Sequence, residues 1–336
     1  MRFTNILLVL DSGVGNSFAL ERALRLARIE NAKPTVCDVV ESIPGDYRRL
    51  ITAITPRELT ATVVADRHEN IEVLLASVDR KGVTIDTRIL TGKAHIEIAE
   101  LVRTHGYDLV IKPIVSQRAT RNRTIARRHR ELMRHCPCPV WLVNVADLSE
   151  DSCVIAALDM PGDGEISTRL NEEILKISRS IALATFRPLH IVHAWTLSGE
   201  GHLRARGTTD SNREVDAMVA REATNRMAWL RAAVFTTRSD SEEIATDYLA
   251  PKLHTLKGET STVLPDIAEQ LRAGLIVMGT AARTGLPGLL IGNTSEALVH
   301  RSDSSLLIVR EPEAPQTHVA GHRELSGTAD FDRAGL

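Results

Sequence analysis

Apolar positions along this chain fall into short runs separated by amphipathic stretches. Ile6–Leu10 closes on Asp11, and Val154–Leu158 closes on Asp159. Runs of this length, rich in branched residues, read as buried strands. Each is followed by a turn-rich stretch and a helical pattern, near Ser17–Glu30 and near Ser167–Ala184. A second strand follows each helix, Thr35–Val40 and Leu189–Trp195. Further on, Gly92 and Gly258 each precede a helical segment. Those segments lead to the strands Asp108–Ile111 and Leu275–Met278, and both halves finish on a helix and a last strand, Pro139–Val143 and Ser305–Val309. Pro113 to Val143 aligns without a gap on Gly279 to Val309.

The chain therefore repeats itself, and a repeat of strands alternating with helices predicts parallel sheets covered on both faces. Two α/β domains are expected, over residues 1–148 and 151–311. The joint lies near Ala146–Ser152, and a polar tail that should be mobile covers 312–336. A length of 336 residues suits two domains. An unpaired last strand would leave a hydrogen-bonding edge exposed. Pro139–Val143 and Ser305–Val309 are therefore expected to pair within the chain, and a homodimer of whole chains is a further expectation.

Composition narrows the classes. With 43% hydrophobic and 25% charged residues and a formal net charge of -2, the chain lacks the basic surplus of a general nucleic-acid binder. The first apolar run is too short for a membrane helix or a signal-peptide core, so a cytoplasmic protein with no membrane partner is expected. The four cysteines, Cys37, Cys136, Cys138 and Cys153, are too few for a disulfide scaffold and read as thiols.

The segment from Gly279 to Glu296 holds the most chemistry. It follows a strand, contains Gly279, Gly285, Gly288 and Gly292, and runs through Asn293-Thr294-Ser295 into a helical pattern. Asn, Thr and Ser are good helix caps, and a helix start offers free N–H groups and a positive dipole end. Glycines let a ligand approach the backbone, so the segment reads as an anion site suited to phosphate.

Here the chain resembles the universal stress protein family, whose nucleotide loop reads Gly-x-x-Gly-x9-Gly-(Ser/Thr). This sequence has Gly279-x-x-Ala282-x9-Gly292-Asn293, with intact spacing and two departures. The tandem layout and the Gly-Asn-Thr ending look most like the family's E-type tandem members. The resemblance implies a pair of Rossmann-like domains of the adenine nucleotide α-hydrolase-like class. Each would be a five-stranded parallel sheet of order 3-2-1-4-5 between helices. It also implies a regulatory stress-response role. ATP or a related adenine nucleotide would bind the second half, with Mg²⁺ accompanying the phosphates and at most slow hydrolysis. Residue by residue, it places Asp159 on the ribose and adenine side and Ala194 against the base. Gly279, Thr280, Ala282, Arg283, Gly292, Asn293, Thr294 and Ser295 fall along the phosphate loop. Two other readings stay open: a binder of a non-nucleotide or apolar ligand, and a ligand-free scaffold for protein partners.

The first half has lost this loop. Gly279, Ala282, Gly292 and Asn293 are replaced by Pro113, Ser116, Ala126 and Arg127, and proline removes a backbone donor. The replacement is Arg-rich, with Arg118, Arg121, Arg123, Arg127, Arg128, Arg130 and Arg134 around His129, and is read as a solvated helix face. Gly13-Val14-Gly15 has Phe18 where a dinucleotide fingerprint needs glycine and is read as an ordinary loop. His135-Cys136-Pro137-Cys138 is the one metal-like cluster in the sequence, but thiols one residue apart make a poor tetrahedral site. His190 and His193 are expected to share one face of their strand as packed or hydrogen-bonded residues. No catalytic constellation is evident.

Overall fold

The computed structural model describes residues 3–11, 15–41, 56–114, 123–144, 152–160, 166–205, 209–236, 247–280 and 293–310. In the first half, β1 (Asn5–Val9), α1 (Asn16–Glu30), β2 (Lys33–Val40), α2 (Pro56–Ala76) and β3 (Asp86–Thr91) are followed by α3 (Ala94–His105), β4 (Leu109–Ile114), α4 (Arg123–His135) and β5 (Val140–Asn144). The second half runs β6 (Cys153–Leu158), α5 (Ile166–Thr185), β7 (Leu189–Trp195), α6 (Glu200–Ala205), α7 (Thr209–Thr236) and β8 (Lys252–Lys257). It ends with α8 (Thr260–Gln270), β9 (Ala273–Gly279), α9 (Asn293–Arg301) and β10 (Ser305–Val309).

All ten strands join one sheet in the order β3-β2-β1-β4-β5-β10-β9-β6-β7-β8. Each half thus has the 3-2-1-4-5 order, with parallel neighbours throughout. The halves meet where β10 runs antiparallel to β5, with Leu306 opposite Leu142 and Ile308 opposite Val140. The expected pairing of last strands is therefore within the chain. A buried side chain reinforces it, because the Asn144 N–H donates to Ser305 Oγ at 3.0 Å.

Strand alternation divides the apolar side chains between two layers. Ile6, Leu8, Val36, Ile111 and Leu307 pack with residues of α1, α2, α5 and α7. Leu7, Val9, Val110 and Leu306 pack with residues of α3, α4, α8 and α9. Both layers cross the seam without interruption. On one side Ser180 Oγ of α5 donates to Glu30 Oε1 of α1 at 3.0 Å. On the other, the Arg310 guanidinium donates to the carbonyls of Met133 and Arg134 that end α4.

Local chemistry repeats as well. After β3 and β8, Gly92 and Gly258 take φ of 147° and 145°, and their N–H groups donate to Val40 and Trp195 carbonyls at 3.0 and 2.8 Å. Side-chain-bearing residues rarely adopt that backbone. In α8, Pro265 cannot donate to the Ser261 carbonyl one turn back. Arg301 Nη1 supplies that hydrogen bond at 3.3 Å and reaches Asp266 with its other nitrogen. Of the joint expected near Ala146–Ser152, residues 146–151 lie outside the described residues, as does the tail expected over 312–336.

Candidate functional site

β6 lies between β9 and β7, where the direction of strand progression reverses. Doubly wound sheets hold ligands beyond the carboxyl ends of the strands at this point. Ala157 is opposite Met278, which sets Leu158 beside Gly279 and puts Asp159 one residue past the strand end. The Asp159 backbone is fixed by one buried amide. Asn171 Oδ1 accepts the Asp159 N–H at 3.2 Å, and Asn171 Nδ2 donates to the Asp159 carbonyl at 2.6 Å. Asn171 belongs to the second turn of α5, and its amide sets the direction in which the chain leaves β6.

Gly279 lies against the buried Leu170 side chain, which would have to shift for any larger residue. A Cβ there would come within 2.5 Å of Leu170 Cδ2. The Thr280 N–H donates to the Val309 carbonyl at 3.1 Å, so this donor serves the sheet. Thr294 is half-buried and Ser295 buried in the first turn of α9, and Ala194 is buried in β7. Ala282, Arg283 and Gly292 lie outside the described residues, as does the side chain of Asn293.

Sequence reasoning missed Arg226 and Trp229 beside this site, and read His193 as a packed or hydrogen-bonded residue without placing it here. Arg226, on α7, donates to Sδ of Met160, the residue after Asp159, at 2.9 Å and pairs with Glu222 at 2.6 Å. His193 approaches the Leu158 carbonyl through Nδ1 at 3.1 Å and meets the Trp229 ring edge-on at 4.9 Å. All three come from elements distant in sequence, so only the fold assembles them. His190 faces the other way and stacks on His254, with ring centroids 5.1 Å apart. The expectation that His190 and His193 share a face is thus corrected. They are three residues apart, and a period of two sends an odd spacing to opposite faces.

The first half treats the same location differently. Asn16 brackets the Asp11 backbone as Asn171 brackets Asp159, at 3.0 and 2.8 Å. Lys112, which corresponds to Met278, places Nζ 3.0 Å from Asp11 Oδ2. His129, which corresponds to Ser295, is 1% exposed and sets Nε2 3.9 Å from the same oxygen. Burial alone would raise the Asp11 pKa, but the His129 imidazole and the Lys112 ammonium outweigh it and hold the carboxyl below its ordinary range. Burial pushes the His129 pKa down. His129 therefore leaves the Arg-rich face and turns inward, while Arg127 is exposed and Arg128 pairs with Glu41 at 2.8 Å. Arg118 and Arg121 lie outside the described residues.

All four cysteines are unpaired and buried. Cys136 and Cys138 face each other at 3.6 Å.

The fold and this switch point define a tandem Rossmann-like protein, with Lys112 and His129 against Asp11 at the ligand position of one half and Met278 and Ser295 at the corresponding positions of the other. The Universal stress protein family model matches residues 2–144 and again 155–310, and the chain belongs to that family. It is 26% identical to Universal stress protein E of Escherichia coli over 326 residues, covering 94% of this chain and 96% of that one. It is 22% identical to a Universal stress protein E homolog of Haemophilus influenzae, covering 92% and 98%. Among solved structures, a Pseudomonas aeruginosa protein of unknown function superposes with a TM-score of 0.62 at 20% identity, covering 92% of this chain and 93% of its own. A universal stress protein from Archaeoglobus fulgidus does so with 0.54 at 16% identity, covering 92% and 99%. At these identities the structures bear on the fold alone. Among the described residues no helix is long and apolar enough to cross a membrane.

Proposed function

We propose that this chain is a cytoplasmic stress-response protein whose second half binds ATP or a related adenine nucleotide as a regulatory signal. The supporting observation is the contrast at the two switch points. Lys112 and His129 crowd Asp11 in the first half, whereas the corresponding positions of the second half hold Met278 and Ser295. Asp159 would face the ribose, and the β7 backbone near Ala194 the base. The turn from Gly279 to Ser295 would take the phosphates, because helix starts and glycine-rich backbone favour anions. When bound, Mg²⁺ would screen the phosphates and hold them in one geometry.

The test is calorimetry on the full chain with MgATP. Binding that is lost at least tenfold in Gly292→Lys, and weakened in Asp159→Ala, is expected. No binding at millimolar ATP, or unchanged affinity in Gly292→Lys, would overturn the reading in favour of a non-nucleotide ligand or a protein-contact scaffold.

A further inference from the structure

The metal signal of the sequence belongs to His135, but its companions come from the fold and not from the neighbouring cysteines. Helix α4 carries Glu131 and His135 one turn apart, so both project on the same side. Helix α3 packs against α4 and brings His95, in its first turn, to the same place. One ligand atom from each of His95, Glu131 and His135 lies within 4.8 Å of the others. The two imidazoles stand 5.0 Å apart between centroids, and His135 Nδ1 lies 3.6 Å from Glu131 Oε2. His95 and Glu131 are half-buried and His135 is exposed, so an ion has a path from solvent.

We propose that His95, Glu131 and His135 form a binding site for a divalent transition-metal ion, zinc in the first instance, that ties α3 to α4. The donor set, two imidazoles and a carboxylate, suits a borderline ion and leaves a fourth position for water. Bonds of about 2.0–2.1 Å in a tetrahedron put ligand atoms roughly 3.3 Å apart. The three side chains must therefore close by no more than about 1.5 Å. None is locked in the core, and rotation about their χ angles supplies that movement. His135 Nδ1 also sits 2.8 Å from the Glu131 carbonyl. An ion bound through Nε2 keeps that contact as its outer shell, and one bound through Nδ1 replaces it. Cys136 and Cys138 are buried against each other and take no part.

Magnesium and calcium prefer all-oxygen shells and should not compete. The ion would brace the end of α4 whose last carbonyls receive Arg310 from the second half. The site would thus stiffen the seam between the halves.

The experiment titrates the full chain with zinc chloride against a chromophoric chelator, in wild type and in His95→Ala, His135→Ala, Glu131→Gln and the double variant Cys136→Ser/Cys138→Ser. One zinc per chain is expected, weakened at least tenfold by either histidine variant and by Glu131→Gln, and retained by the cysteine double variant. Cobalt should load the same site without a thiolate-to-metal charge-transfer band. Circular dichroism checks that each variant is folded, and the partial exposure of all three ligands favours that. No zinc uptake by the wild type would overturn the proposal. So would uptake indifferent to His95 and His135, or uptake with a thiolate band that disappears with the cysteines.

Discussion

Lys112 and Asp11 form an ion pair at 3.0 Å at the ligand position of the first half, with the ammonium 12% and the carboxylate 29% exposed. Asp11 is held below the ordinary carboxylate range, so the folded chain prefers it ionised. Its stabilisation is complete above the unfolded value near pH 4 and is lost as pH falls toward the folded value. Lys112→Met, which copies the second half, should cost about 1–2 kcal/mol at pH 7, since charge-assisted contacts of this partial exposure are worth that much. The difference from wild type should shrink in acid, where protonation removes the charge in both proteins. Urea unfolding at pH 7 and in acid measures it, and equal stability at pH 7 would contradict the account.

Gly279 separates packing from ligand binding. Its missing Cβ faces Leu170 Cδ2 at 2.5 Å. Gly279→Ala should destabilise the chain by about 1–3 kcal/mol, the usual cost of an overpacked core. Adding Leu170→Ala opens the space, so the double variant should be more stable than the sum of the two single changes predicts. Strict additivity in thermal unfolding would show that the collision is not what demands glycine.

The His190–His254 stack should make the second half acid-sensitive. Burial, then the neighbouring His254 and Lys252, lower the His190 pKa to about 4. An unfolded histidine takes its proton near pH 6.5. The folded state therefore prefers the neutral ring, and its stability falls as pH drops from about 6.5 to about 4, with no such slope above. In His254→Gln this acid slope should be shallower than in wild type. Thermal midpoints across that range decide, and identical slopes would show that the pair does not titrate as one unit.

Much of the fold was legible because most central strands are continuous apolar runs. Val154–Leu158 and Leu189–Trp195 are covered on both faces, and only His190 and His193 interrupt their apolar residues. The outer strands β3 (Asp86–Thr91) and β8 (Lys252–Lys257) carry polar residues among apolar ones and are only half-buried. They gave no clear run to read. The positions of Asp159 and Gly279 at neighbouring strand ends followed from the repeat and from the chirality of parallel crossovers.

The side chains around those positions did not follow. Asn16 and Asn171 perform the same bracketing from different helical positions, five and twelve residues after their aspartates. A gapless comparison cannot align them. Lys112 reads in sequence as one polar residue in a strand, and His129 as part of an arginine-rich face. The adjacency of β1 and β4 brings Lys112 to Asp11, and the packing of α4 brings His129.

The sequence by itself determined the tandem repeat, the doubly wound class and the loss of the glycine loop in the first half. These depend on local periodicity and on which residues tolerate close backbone approach, and both are written along the chain. The tertiary structure decided which charges meet. It filled the first switch point with Lys112, set Arg226 beside the second, and gathered His95, Glu131 and His135 across two helices. Contacts between side chains depend on distance in space, and strands far apart in the chain become neighbours only when the sheet forms.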